Sequence, residues 1–195
     1  DRSPSRGLGD VYKRQALYAG IRPERVACFV NLEGFGLPRS RPEEAGRRYA
    51  RWLDQLKSPP RWSNWACVED FARLLIQRNP RLRPDRAAFI AQNWMQPRPQ
   101  GGVTLRWDPF HKLVYPVLYR REEAEAIWRS ITAPGLLVLG DHSEMRDNLG
   151  DDGSVQSLQA IFPTCTVRVL ADAGHMMHHE HPETLARLIE DFLGP

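Results

Sequence analysis

Val167-Arg168-Val169-Leu170-Ala171-Asp172-Ala173-Gly174-His175-Met176-Met177-His178-His179-Glu180-His181-Pro182 is a β-branched run that ends in Ala-Gly-His and leads into a proline-started helix. Val167 to Leu170 fits a strand, and Gly174 supplies the backbone freedom for a sharp exit from it. His175 then stands at the strand's carboxyl end, where open α/β sheets bind their ligands. Pro182 suits a first helical turn, and Leu185, Leu188, Ile189 and Phe192 make one apolar face of a closing helix. The crowding of His175, His178, His179 and His181 also raises a metal reading. His175 and His179 have the one-turn spacing of a zinc-hydrolase pair, but Met176 stands where the adjoining Glu is required. His178, His179 and His181 read better as loop and helix-cap residues, and no metal is expected.

This stretch resembles the end of the α/β-hydrolase superfamily, whose last strand closes in a Gly-His carrying the catalytic base. The resemblance implies that His175 is that base. It also implies a parallel sheet flanked by helices, in which the nucleophile sits on a G-x-S-x-G turn earlier in the chain.

Upstream, Gly135-Leu136-Leu137-Val138-Leu139-Gly140 is a short apolar run bounded by glycines, and it reads as a buried parallel strand. Asp141-His142-Ser143-Glu144 comes next, at its carboxyl end. In the superfamily the acid that orients the base commonly follows this strand as Gly-x-x-Asp, and Ser143 occupies the Asp position here. Glu144 is the preferred substitute, because a longer side chain offsets the one-residue shift. Asp141 is the alternative. Asp172, beside the His strand, reads as structural. A helix bearing Val155, Leu158, Ile161 and Phe162 joins the two strands.

Nearer the start, Ala16 to Gly20 looks like the last turns of a helix with a glycine stop. Val26-Ala27-Cys28-Phe29-Val30-Asn31-Leu32 reads as a strand buried on both faces. This arrangement resembles the segment after the nucleophile elbow in the superfamily, and no serine here lies between the required glycines. The resemblance therefore places the nucleophile upstream of Ala16, and this chain is expected to be a C-terminal portion without activity of its own. Leu32-Glu33-Gly34-Phe35-Gly36 bends away across an active-site rim. Phe35, His111 and Met176 are the candidate substrate contacts.

From Arg39 to Ser130 the texture is charged and Trp-rich. Ser40-x-x-Glu43 has the form of a capping box, and Tyr49, Trp52, Leu53 and Leu56 recur at helical spacing. Further helices carry Phe71, Leu74 and Leu75, and then Phe89, Ile90 and Trp94. Pro97 to Gly102 reads as a loop. The block resembles the all-helical cap of the superfamily. The expected organisation is a leader over 1–15, hydrolase core over 16–38, cap over 39–130 and core again over 131–195.

The leader is set apart because Ser5 to Gln15 can be back-translated, in one frame, into a transposon-end sequencing adapter. Such a segment is excluded from fold reasoning. It matters for charge: four of the 27 basic and two of the 24 acidic residues lie in it, so the formal excess falls from +3 to +1 without it. That leaves no case for nucleic acid. No apolar run approaches a membrane span. Three cysteines, odd in number and widely spaced, argue against a disulfide framework and suit a cytoplasmic setting, with Cys28 and Cys165 as small buried hydrophobes.

The expected function is hydrolysis of ester or related acyl substrates by a nucleophile–His–acid triad, with a small-molecule substrate, no nucleic-acid or membrane partner and no cofactor. An Asp nucleophile would instead make a dehalogenase or epoxide hydrolase. A non-catalytic ligand-binding homologue is the reading from a different class.

Overall fold

The computed structural model describes residues 8–194, with side chains described from Arg14 onward. In chain order the elements are α1 (Leu8–Ile21), β1 (Phe29–Leu32), α2 (Ala45–Lys57), α3 (Val68–Arg78), α4 (Pro84–Trp94), β2 (Met95–Pro97), β3 (Val103–Leu105), α5 (Arg121–Arg129), β4 (Gly135–Gly140), α6 (Glu144–Asp147), α7 (Val155–Ile161), β5 (Cys165–Leu170), α8 (Met177–Glu180) and α9 (Pro182–Leu193). Tyr49–Tyr115 forms one compact unit, and the chain on either side of it forms the other.

The flanking unit is built on a parallel sheet in the order β1-β4-β5. All six residues of β4 are buried, as expected of a parallel strand covered on both faces. Its alternation feeds two cores. Leu137 and Leu139 pack with Ala16 and Ala19 of α1, Trp128 of α5, and Leu158 and Ile161 of α7. Leu136 and Val138 pack with Leu170, Met177 and Leu185, against which Leu188, Ile189 and Phe192 of α9 are laid. Each fully buried side chain of this kind contributes about 1.5–3 kcal/mol of transfer free energy. The register pairs Leu32 with Val138 and Gly140 with Leu170. The loops leaving β1, β4 and β5 therefore emerge along one carboxyl edge.

Several expectations need correction. The first strand is shorter than Val26–Leu32, because a 3-10 turn at Pro23–Arg25 delays it to Phe29. It pairs with β4 alone among the described strands; Phe29, Val30 and Leu32 are only partly covered, Asn31 is buried, and Cys28 just before the strand is exposed. Gly20 is not a helix stop, since α1 runs on to Ile21. A Cβ on Gly20 would lie 2.0 Å from the Ile127 carbonyl oxygen, so the glycine permits close approach of α5. Residues 1–7 of the expected leader lie outside the described residues. Its other end does not coincide with a helix start: α1 begins at Leu8, although Arg14 and Gln15 are exposed and Ala16 is buried. The expected pairing of Ser40 with Glu43 gives way to a 3-10 turn at Pro42–Glu44, whose first cap residue is Arg41.

The Tyr49–Tyr115 unit has its own core, formed by Phe71 and Leu75 of α3, Leu82 in the connection to α4, Ile90 and Ala91 of α4, Met95 and Leu105. It is not all-helical. The segment read as a loop over 97–102 turns a short antiparallel ladder in which Met95 faces Leu105 and Pro97 faces Val103. Gly101 and Gly102 both take positive φ there, 86° and 73°, which glycine adopts at little cost. α5, included in the expected 39–130 cap, belongs to the sheet unit and packs on α1. Among the described residues no helix is long and apolar enough to cross a membrane.

Candidate active site

Glu33 is the residue at which β1 turns out of the sheet, and its backbone is left-handed, with φ of 53°. A non-glycine residue in that region is strained and persists where its surroundings fix it. The fixing bonds are specific. Glu33 N–H donates to the Val138 carbonyl at 3.0 Å, and Gly34 N–H donates to Asn31 Oδ1 at 2.6 Å. The turn aims the Glu33 side chain along the carboxyl edge of the sheet, where it is wholly buried.

Three donors meet that carboxylate. Gly140 N–H donates to Oε1 at 2.7 Å. Ser143 Oγ donates to Oε2 at 2.5 Å, and Nδ1 of His175 lies 2.8 Å from the same oxygen. Ser143 Oγ also accepts from Arg146 N–H at 3.2 Å, so its one proton is left for Glu33. A carboxylate surrounded by donors is accommodated in its ionised form, and the His175 ring then carries a proton on Nδ1. Nε2 holds the free lone pair. The His175 side chain is 24% exposed while Glu33 is fully covered, so the ring is backed by the carboxylate and open on another side.

His175 is delivered by β5 as its sequence suggests, but the sharp turn is made elsewhere than at Gly174. Asp172 takes the left-handed conformation, with φ of 54°. Gly174 serves close approach: its N–H donates to Glu180 Oε2 at 2.7 Å, and a Cβ there would lie 3.1 Å from Glu180 Oε1. Gly140 is equally constrained, since a Cβ would meet the Ala173 carbonyl oxygen at 2.3 Å. These tight contacts seat the His-bearing loop against the end of β4.

The two expected acids do other work. Asp141 Oδ1 accepts from Ala173 N–H at 3.0 Å. The backbone N–H groups of Asp172 and Ala173 hold its carboxyl below the ordinary aspartate range. Glu144 is an exposed first-turn residue of α6, which Ser143 caps. The carboxylate that accepts from His175 Nδ1 is that of Glu33 instead. Glu33 was missed because it belongs to a different strand, although Gly34 after it and a Ser at the expected acid position were both visible. Ser143, at the vacated acid position, donates to the Glu33 carboxylate. Among the expected substrate contacts, Phe35 is 1% exposed and packs in the core around Trp128. It is a core residue, because the chain turns inward after Gly34. Met176 is half-buried at the start of α8, next to His175. His111 lies on a 3-10 turn, Pro109–Lys112, of the Tyr49–Tyr115 unit.

The remaining histidines pack locally. His178 and His179 have ring centroids 4.1 Å apart. Burial lowers the affinity of both for protons, and pushes His179 down to about 4. His181 Nε2 lies 2.9 Å from the Asp172 carbonyl oxygen. Among the described residues no group of three or more His, Cys, Asp or Glu is placed to hold a metal ion.

Comparison with known proteins gives a consistent family. The profile described as "Alpha/beta hydrolase family" matches residues 15–188. A thioesterase domain from the curacin biosynthetic pathway superposes with a TM-score of 0.72 at 27% identity, over 91% of this chain and 61% of that one. A hypothetical protein from Pseudomonas aeruginosa PAO1 gives 0.75 at 22% identity, over 91% and 62%. An E-2-(acetamidomethylene)succinate hydrolase gives 0.66 at 19%, over 93% and 63%. The chain thus spans about three-fifths of the length of these structures. No curated protein matches the sequence significantly.

Proposed function

The chain belongs to the alpha/beta hydrolase family, and from that premise we propose that it supplies the base and the orienting acid of an enzyme hydrolysing ester or thioester bonds. The observation that carries this reading is the short contact between His175 Nδ1 and a fully buried Glu33 carboxylate. With Nδ1 committed to Glu33, Nε2 of His175 takes the proton of an attacking hydroxyl and returns it to the leaving group. Glu33 holds the tautomer and stabilises the imidazolium as it forms. The nucleophile is a residue outside this pair, on the part of the fold that the longer relatives possess. Met176, beside His175, is the candidate contact for the acyl group.

The test is hydrolysis of short-chain p-nitrophenyl esters and acyl thioesters by this chain and by a version extended upstream to the length of its relatives. The extended protein is expected to turn over and residues 1–195 alone are not. His175→Ala in the extended protein should remove nearly all of the rate, because members of such a constellation act as a unit. Equal turnover by the His175→Ala variant would contradict the role of the base.

A further inference from the structure

Arg121 opens α5, and its side chain has no exposed surface. A buried guanidinium is costly unless its donors are used, and these are. Nη1 donates to the carbonyl oxygens of Phe35 at 2.9 Å and Leu37 at 3.1 Å. Nε donates to Glu125 Oε1 at 2.8 Å, and Nη2 reaches the Asp152 carbonyl at 3.4 Å. Arg39, two residues beyond Leu37, closes the circuit through Glu125 Oε1 at 2.8 Å and Asp152 Oδ2 at 3.0 Å. The loop leaving β1 is therefore held at three points by the start of α5 and the turn Gly150–Gly153.

That loop is the backbone that leaves Glu33. It contains two left-handed residues three apart, Glu33 and Gly36, the second with φ of 84°. A Cβ at Gly36 would lie 2.3 Å from the Tyr119 hydroxyl. Strained turns relax unless their surroundings over-determine them. Nη1 grips the carbonyls on either side of Gly36 while Nε holds Glu125 and Nη2 reaches Asp152, a spread of donors that a planar guanidinium supplies and a single ammonium nitrogen does not. We propose that Arg121 is a positioning residue for the Glu33–His175 pair, clamping the Phe35 and Leu37 carbonyls so that Glu33 keeps its left-handed turn and its carboxylate stays on Nδ1. This rests on the reading of that pair given above.

The test uses the 15N-histidine-labelled chain and the far-downfield proton resonance of His175 Nδ1, which a hydrogen bond to a carboxylate produces. Arg121→Lys retains the buried charge but not the fork, and Arg121→Met removes both. Glu33→Gln is the reference for loss of the pair. The expected result is the resonance in the parent chain, its loss in Glu33→Gln, and its loss or upfield movement in both Arg121 variants while thermal unfolding stays cooperative. An unchanged resonance in a folded Arg121 variant overturns the inference and leaves the Glu33–His175 reading standing. Failure of Arg121→Lys to fold also overturns it, since Arg121 would then be a structural keystone. A resonance that is absent from the parent or survives Glu33→Gln overturns the pair itself, and this inference with it.

Discussion

Nδ1 of His175 lies 2.8 Å from Oε2 of Glu33, a residue 142 positions earlier in the chain. The two leave neighbouring parts of one sheet edge, β5 and β1, with β4 between them. Gly140 at the end of β4 and Ser143 just beyond it supply the other two donors to the same carboxylate. All three strands thus converge on one group.

Ser143→Ala removes a donor from a buried carboxylate and a cap from α6. Loss of a hydrogen bond to a charged buried group is expected to cost about 1.5–3 kcal/mol. Urea unfolding should show a lowered midpoint with an unchanged slope. A midpoint equal to that of the parent would show that the bond contributes nothing.

Gly140→Ala places a methyl group 2.3 Å from the Ala173 carbonyl oxygen, in backbone that cannot swing aside as a side chain can. The variant is expected to lose roughly 1–3 kcal/mol from overpacking. The amide resonances of Gly174 and His175 should move more than those of α3, in the other unit. Movement of comparable size in both places would count against a local effect.

Stability should fall on acidification. His179 is pushed down to about 4 in the folded chain, by burial and then by His178, and His178 is lowered as well. The unfolded chain binds these protons near pH 6.5 while the folded chain refuses them. The contribution is therefore intact above about pH 6.5 and is lost as pH falls towards about 4. Thermal scans across that window should show Tm dropping, with a shallower drop in His179→Gln. Parallel curves for the two proteins would refute the assignment.

The thiols should label in order of access. Cys28 is exposed, Cys67 is intermediate and Cys165 is buried. Burial pushes the Cys165 thiol up to about 12, so almost none of it is thiolate at neutral pH. Sharing its proton with Glu69 also raises the Cys67 thiol. Maleimide or disulfide-exchange reagents should modify Cys28 first and Cys165 only on unfolding. Early loss of Cys165 would mean that the sheet face around it opens in the native state.

The fold was legible where periodicity was strong. β4 carries an unbroken apolar run between glycines, β5 is β-branched and apolar apart from Arg168, and α9 shows its apolar face at Leu185, Leu188, Ile189 and Phe192. The ladder between Met95 and Leu105 was not, because strands of three residues are too short to display alternation. His175 announced itself through the Gly-His at a strand end. Its partner Glu33 did not, since local sequence cannot show a left-handed turn at Glu33 or a contact made across the intervening β4. The segment after β4 does reach this cluster, through Ser143, whose hydroxyl donates to the Glu33 carboxylate.

The most direct measurement compares Glu33→Gln, Glu144→Gln and Asp141→Asn in the upstream-extended enzyme, using kcat/KM for an acyl p-nitrophenyl ester. Glu33→Gln should lose about a thousand- to ten-thousand-fold, the scale on which a base with the wrong tautomer fails. Glu144→Gln should stay within about threefold and Asp141→Asn within about tenfold, since exposed charges and loop contacts away from the base change the transition state little. A near-normal Glu33→Gln beside a large loss in Glu144→Gln or Asp141→Asn would contradict the pairing of His175 with Glu33.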